Sequence, residues 1–274
     1  MDTGIYNSSD EKHLSVTAAQ AKLRERILAF VIGFLAVGLA PAVFFIDRGF
    51  GEACFRDSIS HYFYEPRAGI FFVMVLTFVG AFLFRYRGER WYDNWIASAG
   101  AAAAMMVAFF PTAEIGCSEG QVLDVRPAIT VVSPGDAMPD TTQPSLTLPV
   151  TGETLIPNED AVQGGFSEED FNKRHFYGAI ALFLVLLYFT TWAFMRQNAA
   201  KDVVDGKFTK IKLFRNGIYG VCAVVMVAGG VTILWGDDWF ARPVFVGEAA
   251  FLSAFGVSWL VKSRFLWGTL DLRR

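Results

Sequence analysis

The sequence predicts an all-α membrane protein: a bundle of six transmembrane helices, with both termini cytoplasmic and one large outer loop. Three observations predict it. First, the 274-residue chain is 53% hydrophobic and 19% charged, and its mean hydropathy is +0.37. A soluble domain of this length carries more charge and breaks its apolar runs sooner. Second, six stretches are long enough to cross a bilayer, which takes about 20 residues. They fall at 27–46, 68–84, 94–113, 176–195, 216–236 and 243–261. The first five hold no Asp, Glu, Lys or Arg, and the sixth holds Glu248 alone. Third, lysine and arginine are shared unequally between the two sets of connections.

Helices are the expected spanning structure. The apolar runs lack the two-residue alternation of a barrel strand. With the N-terminus inside, the inner segments hold 17 of the 24 basic residues and the outer ones hold seven: Arg48, Arg56, Arg67, Arg126, Lys173, Arg174 and Arg242. This asymmetry places both termini in the cytoplasm. The first apolar run follows a largely polar segment of 26 residues and is longer than a signal-peptide core, so it is read as a retained span. The division is then a cytoplasmic segment at 1–26, a six-span domain at 27–261, and a cytoplasmic tail at 262–274. The net charge of −3 includes no basic patch that would recruit nucleic acid.

Local signals fill in the elements. Thr17-Ala-Ala-Gln20 has the form of a capping box opening a short helix before span one. Trp91, Tyr92, Trp95, Trp259 and Trp267 on the inner side, and Trp235 and Trp239 on the outer, fit aromatic belts. Span three, with IASAGAAAAMMVA, is built from small residues that let helix backbones approach closely. It reads as an enclosed helix or as an oligomer interface. Gly229-Gly230 in span five permits a kink or a close contact. The outer loop at 114–174 is rich in Pro, Thr, Val and Gly. In it AITVV and SLTLPV read as strands of a short β-hairpin or as irregular chain. Ser167 followed by Glu168, Glu169 and Asp170 reads as the N-terminus of the fourth helix. Inside, Arg85, Arg87, Arg215 and Lys262 read as topology determinants and lipid-phosphate contacts, with Asp93 paired to one of them.

Cys54 and Cys117 both fall on the outer side, which suggests a disulfide between the first outer loop and the start of the large one. Cys222 lies within span five. There is no CxxC or Cys/His metal spacing.

The chemistry concentrates at one place. DSISHYFYEPR, 57–67, sits at the outer mouth of span two. His175 is at the mouth of span four, and Glu248 lies about 9 Å into span six at helical rise. A carboxylate in a span faces the bundle interior and finds a partner there. The candidate ligand-binding set is Ser58, Ser60, His61, Tyr62, Tyr64, Arg67, His175, Arg242 and Glu248. The alternative is a structural lock made of the same residues.

Three stretches, SISHYFYEPRAGIFFVMVLTFVGAFLFRYRG, DNWIASAGAAAAMMVAFFPT and GEAAFLSAFGVSWLVK, resemble a family of bacterial six-span integral membrane proteins of unknown function. In that family a Ser-x-Tyr-Tyr motif precedes span two, Phe-Pro-Thr closes span three and a Phe-Gly-x-Ser-Trp-Leu-Val-Lys-like ending closes span six. Here the first motif reads Ser60-His61-Tyr62-Phe63. The large outer loop resembles an insertion into that pattern. Ile59-Ser60 and Pro66 are more weakly similar to the Frag/DRAM/Sfk group of six-span proteins, some of them linked to lipid remodelling. The resemblance implies the six-span fold and a bacterial inner (cytoplasmic) membrane location.

Three functions stay open from the residues. One is an outer-leaflet-facing polar pocket that binds or handles a membrane lipid or small amphiphile. A second is a membrane-embedded hydrolase or transferase, with Ser60 (or Ser58) as nucleophile, His61 or His175 as base and Glu248 as orienting acid. In a variant of it, His61, His175 and Glu248 hold a metal; the chain lacks the His-x-x-x-His pair of membrane metallohydrolases, and no cofactor is predicted. The third is a homo-oligomeric channel.

Overall fold

Lengthy apolar runs with few breakers make the helices, and the computed structural model places six of them. It describes residues 8–50, 55–88, 90–110, 112 and 168–196, then 202–264, together with short strands inside 114–158. The helices are α1 (Ser8–Phe50), α2 (Pro66–Arg85), α3 (Trp91–Phe109), α4 (Glu168–Tyr188), α5 (Lys210–Trp235) and α6 (Pro243–Ser263). Five of them are long and apolar enough to cross a membrane: α1, α2, α4, α5 and α6. In α3 the opening WYDNW lowers the hydropathy, although its 19 residues span roughly 28 Å at helical rise.

The boundaries follow local chemistry. Pro66 and Pro243 occupy first helical turns, where a missing N–H costs nothing. Thr209 caps α5 by accepting from the Lys212 amide at 3.3 Å. Asp93 accepts from the Arg90 amide at the start of α3. α1 already runs from Ser8, so Thr17-Ala-Ala-Gln20 lies within a helix and is not its cap. α4 begins at Glu168, next to the predicted cap. It ends in a π-turn, Phe189–Ala193. Lys212 donates to the carbonyls of Phe194 and Arg196 at 2.9 and 2.5 Å, and Asn216 donates to Met195. These bonds satisfy the carbonyls that a helix end leaves open.

In the packing, α6 lies against α1 and α5, α2 against α1 and α3, and α3 against α4. Two glycine pairs set the closest approaches. A Cβ on Gly33 would stand 2.7 Å from the Gly256 carbonyl, and one on Gly229 would stand 2.6 Å from the Gly247 carbonyl. The small side chains of α3 are used inside: Gly100 faces Val185 of α4, and Ala101 and Ala104 face Gly80 of α2. Trp259 is 1% exposed and is ringed by Phe82, Tyr86, Phe189, Phe194 and Phe255. It is a core residue, not the belt residue its position predicts. Trp91, Trp95, Trp235 and Trp239 are exposed.

Within the large loop, β1 (Glu114–Ile115) pairs with β2 (Val122–Leu123). The AITVV stretch forms β3 (Ala128–Val132). Both it and β4 (Leu146–Thr147) pair antiparallel with β5 (Thr154–Asn158). β6 (Val203–Val204) and β7 (Lys207–Phe208) flank Asp205-Gly206, both at positive φ. That is the two-residue turn favoured by Asp-Gly.

At the Asp93 end of the bundle, Asp93 is 1% exposed. It accepts from Arg196 at 2.6 Å and from the Tyr188 hydroxyl at 2.6 Å. Its partner is Arg196 and none of the four cations proposed for it. Arg215 is also corrected. It is 5% exposed and bound to Asp202 at 2.7 Å, with Arg264 on the same carboxylate, so it belongs to the interior and not to a lipid contact.

Candidate functional site

The opposite end of the bundle gathers the α1 C-terminus, the first loop and the N-termini of α2, α4 and α6. Here Ser60–Tyr64 forms a single 3-10 turn that leads into Pro66 and α2. Two side-chain oxygens fix the chain before it. Glu248 Oε2 accepts from the Ser58 hydroxyl at 2.8 Å and from the Ile59 amide at 2.7 Å. With its proton given to Glu248, Ser58 Oγ is left as an acceptor, for Ser60 Oγ at 2.8 Å and the Ser60 amide at 3.1 Å. The proton order is therefore Ser60 to Ser58 to Glu248.

Two further ties hold the loop to α6. The Phe245 amide donates to the Asp57 carbonyl at 2.7 Å, and Arg242 pairs with the Asp57 carboxylate. Arg56 pairs with Glu65, and its guanidinium lies 6.0 Å from the Tyr62 ring. Ser58, Ser60, His61 and His175 are buried, and Tyr62 is fully so. Tyr64 is half-buried and donates to the Thr112 carbonyl at 2.5 Å. Arg67 is exposed. His175 Nδ1 donates to the Phe110 carbonyl at 2.7 Å, which fixes its tautomer and leaves Nε2 the acceptor.

Burial pushes the His61 imidazole down to about 4, against the pull of Asp57 and with the help of Arg56 and His175. His61 therefore stays neutral through the physiological range, and its Nδ1 has no hydrogen-bond partner among the described residues. Burial also raises the Tyr62 phenol.

The structure thus links Ser58, Ser60 and Glu248 directly, and it joins Arg242 to the same loop. Ser60 Oγ meets Ser58, so the described residues contain no serine–histidine bond of the kind that activates a hydroxyl. Among the described residues, no three His, Cys, Asp or Glu side chains stand together as a group that could hold a metal, and His61, His175 and Glu248 are not gathered into one. Cys54 and Cys117 lie outside the described residues; Cys222 is buried and free.

The open space at this end lies beside the polar network. A cleft of about 490 Å³ runs between α1 and α6. Its lining is Ala40, Pro41, Phe44, Phe45, Asp47, Arg48, Phe55, Phe245 and Ala249. None of the nine predicted ligand-binding residues is among them. Phe245 and Ala249 flank the network from α6, because they stand within three residues of Glu248. Phe44, Phe55 and Phe245 stack edge to face at 5.4 and 4.8 Å. Asp47 is 3% exposed and sits beside Glu65 and Arg56.

Sequence reading passed over Asp47 because it directly follows an apolar run and resembles an ordinary interfacial charge. The available signal was its position directly after Ile46, the last residue of span one, where the helix α1 continues to Phe50. Compared with protein-family models, curated proteins and solved structures, the chain matches none, and the family resemblance rests on its three motifs alone.

Proposed function

We propose that this is a six-span membrane protein that binds or handles a lipid or small amphiphile at the end of the bundle holding Ser58. In this reading α3 crosses the membrane with the other five helices, both termini are cytoplasmic, and the Ser58 end faces the outer leaflet of a bacterial inner membrane. The observation that carries it is the cleft between α1 and α6. Its volume falls within the roughly 300–1,000 Å³ of small-molecule sites. Its lining is apolar and aromatic from Ala40 to Phe45 and along Phe245 and Ala249, and turns polar at Asp47 and Arg48. That is the profile of an amphiphile, tail inward and head at the membrane surface.

The Ser58–Glu248 network has a supporting role here. It pins the loop that carries Phe55 to α6, so that one wall of the cleft is held in place. Extraction of the purified protein in mild detergent, followed by lipid mass spectrometry, tests the reading. The wild type should retain bound amphiphile, and Ala249→Trp, which fills the cleft, should lose most of it. Equal retention by the two would end the proposal. Orientation is tested by cysteine tagging at Lys207 and Asp140, which should label from opposite sides of intact membranes.

A further inference from the structure

Two acids meet where the end of α1 packs on the loop before α2. Asp47, buried at 3% exposure, has a side-chain hydrogen bond to Glu65. An ionised carboxyl only accepts, so a bond between two carboxyl groups exists only while one of them carries a proton. The surroundings decide which. Arg56 pairs with Glu65, so Glu65 is the ionised member and Asp47 gives the O–H. With that proton in place the charges of Glu65 and Arg56 cancel. Without it two carboxylates face one guanidinium, and like charges in contact do not both ionise cheaply. The other groups nearby supply no second cation. Tyr62, 6.0 Å from Arg56, is uncharged. Arg48, on α1 itself, is exposed and lies 6.0 Å from the Phe44 ring. From α6 the cleft receives only Phe245 and Ala249.

We infer that Asp47 and Glu65 share one proton that latches the end of α1 to the 55–65 loop, and that its loss with rising pH frees this wall of the cleft. Asp47 from α1 and Phe55 from the loop both line the cleft, so the latch joins two of its walls. The proton has a way out, because the Glu65 side chain is 23% exposed. When base takes it, the O–H bond from Asp47 to Glu65 becomes a contact between two anions. Glu65 is the partner nearer solvent, and the loop moves with it. The latch is thus closed in acid and released in base. An isolated carboxyl, at about 4, is already ionised in weak acid; a coupled pair gives up its last proton later. The latch operates on the protein alone, whatever occupies the cleft.

The test is hydrogen–deuterium exchange of the full chain in detergent, at about pH 5 and about pH 8 and corrected for intrinsic amide rates. The amides of Ile59, Ser60, His61, Tyr62 and Glu65 are all bonded, so they exchange when the loop lifts. In wild type their opening should rise roughly tenfold or more at the higher pH, the change that one unit of pKa displacement brings. His61 is neutral at both values and adds no step of its own. Asp47→Asn and Glu65→Gln each keep a donor across the contact and remove the shared proton, so both should lose the step. Asp47→Ala should leave the loop open at both values. The latch is overturned if the wild-type loop shows no step. It is also overturned if the step survives in either amide variant, folded by its melting curve; the step would then belong to Glu248, which holds the same loop from α6. Infrared spectra of the wild type need no variant. A protonated-carboxyl band must be present at the lower pH and weaken at the higher, and a spectrum without that change overturns the latch as well.

Discussion

Glu248 holds the Ser58 hydroxyl and the Ile59 amide on one carboxylate oxygen, across 190 and 189 residues of chain. Those two bonds join α6 to the loop before α2, and the geometry separates charge from shape. Glutamine keeps an oxygen in place for both donors; alanine leaves both unsatisfied. Glu248→Ala should therefore cost about 2–3 kcal/mol, and Glu248→Gln no more than about 1. Thermal melts in detergent decide it. A larger loss for glutamine than for alanine would mean that the negative charge, and not the pair of bonds, holds the loop.

His61 predicts a pH dependence with a definite sign. Its imidazole has a folded value of about 4 against an ordinary 6.5, chiefly because it is buried. Above 6.5 both folded and unfolded chains carry it neutral, and its contribution is fully present. As the pH falls from about 6.5 toward 4, the unfolded chain takes up a proton that the folded chain refuses. Stability then drops, by on the order of 3 kcal/mol at the acid end. His61→Gln should flatten the melting temperature over this range relative to wild type. Parallel curves for the two proteins would show that other groups set the acid response.

The adjacent glycines Gly229 and Gly230 should respond in opposite directions. A Cβ at 229 meets the Gly247 carbonyl at 2.6 Å, and backbone cannot move aside as a side chain can. At 230 nothing lies within 4 Å. Gly229→Ala should therefore lower the melting temperature by forcing α5 off α6. Gly230→Ala should leave it unchanged or raise it, since alanine is about 1 kcal/mol better in a helix. Destabilisation by both would point to a kink, not a contact.

Asp93, Arg196 and Tyr188 form one unit at the other end of the bundle. Arg196→Ala strands a buried carboxylate and should cost about 3 kcal/mol or more. Asp93→Asn combined with Arg196→Gln should cost clearly less than the sum of the single changes, with a coupling of about 1–3 kcal/mol. Additive losses in a double-mutant cycle would mean that the two side chains stabilise the bundle separately.

The helices were legible in the sequence because burial in lipid demands long unbroken apolar runs, and five of them stand where those runs lie. Pro66 and Pro243 stand in the first turns of α2 and α6, and α4 begins at Glu168, beside the Ser167 read as its start. What the sequence could not express is which side chains face one another. Glu248 was visible as an acid in an apolar span, and the need for a partner followed from the cost of burying it. That the partner is the Ser58–Ile59 backbone and hydroxyl, and neither histidine, depends on the rotation of α6 about its axis. The Gly33–Gly256 and Gly229–Gly247 contacts accompany that packing. Asp93 found Arg196 for the same reason: the π-turn and its caps from α5 bring the end of α4 over α3. The cleft is still further from the sequence, since it is a gap between α1 and α6. Composition and periodicity describe each helix singly, while the space between two of them belongs to the pair and is decided only when they pack.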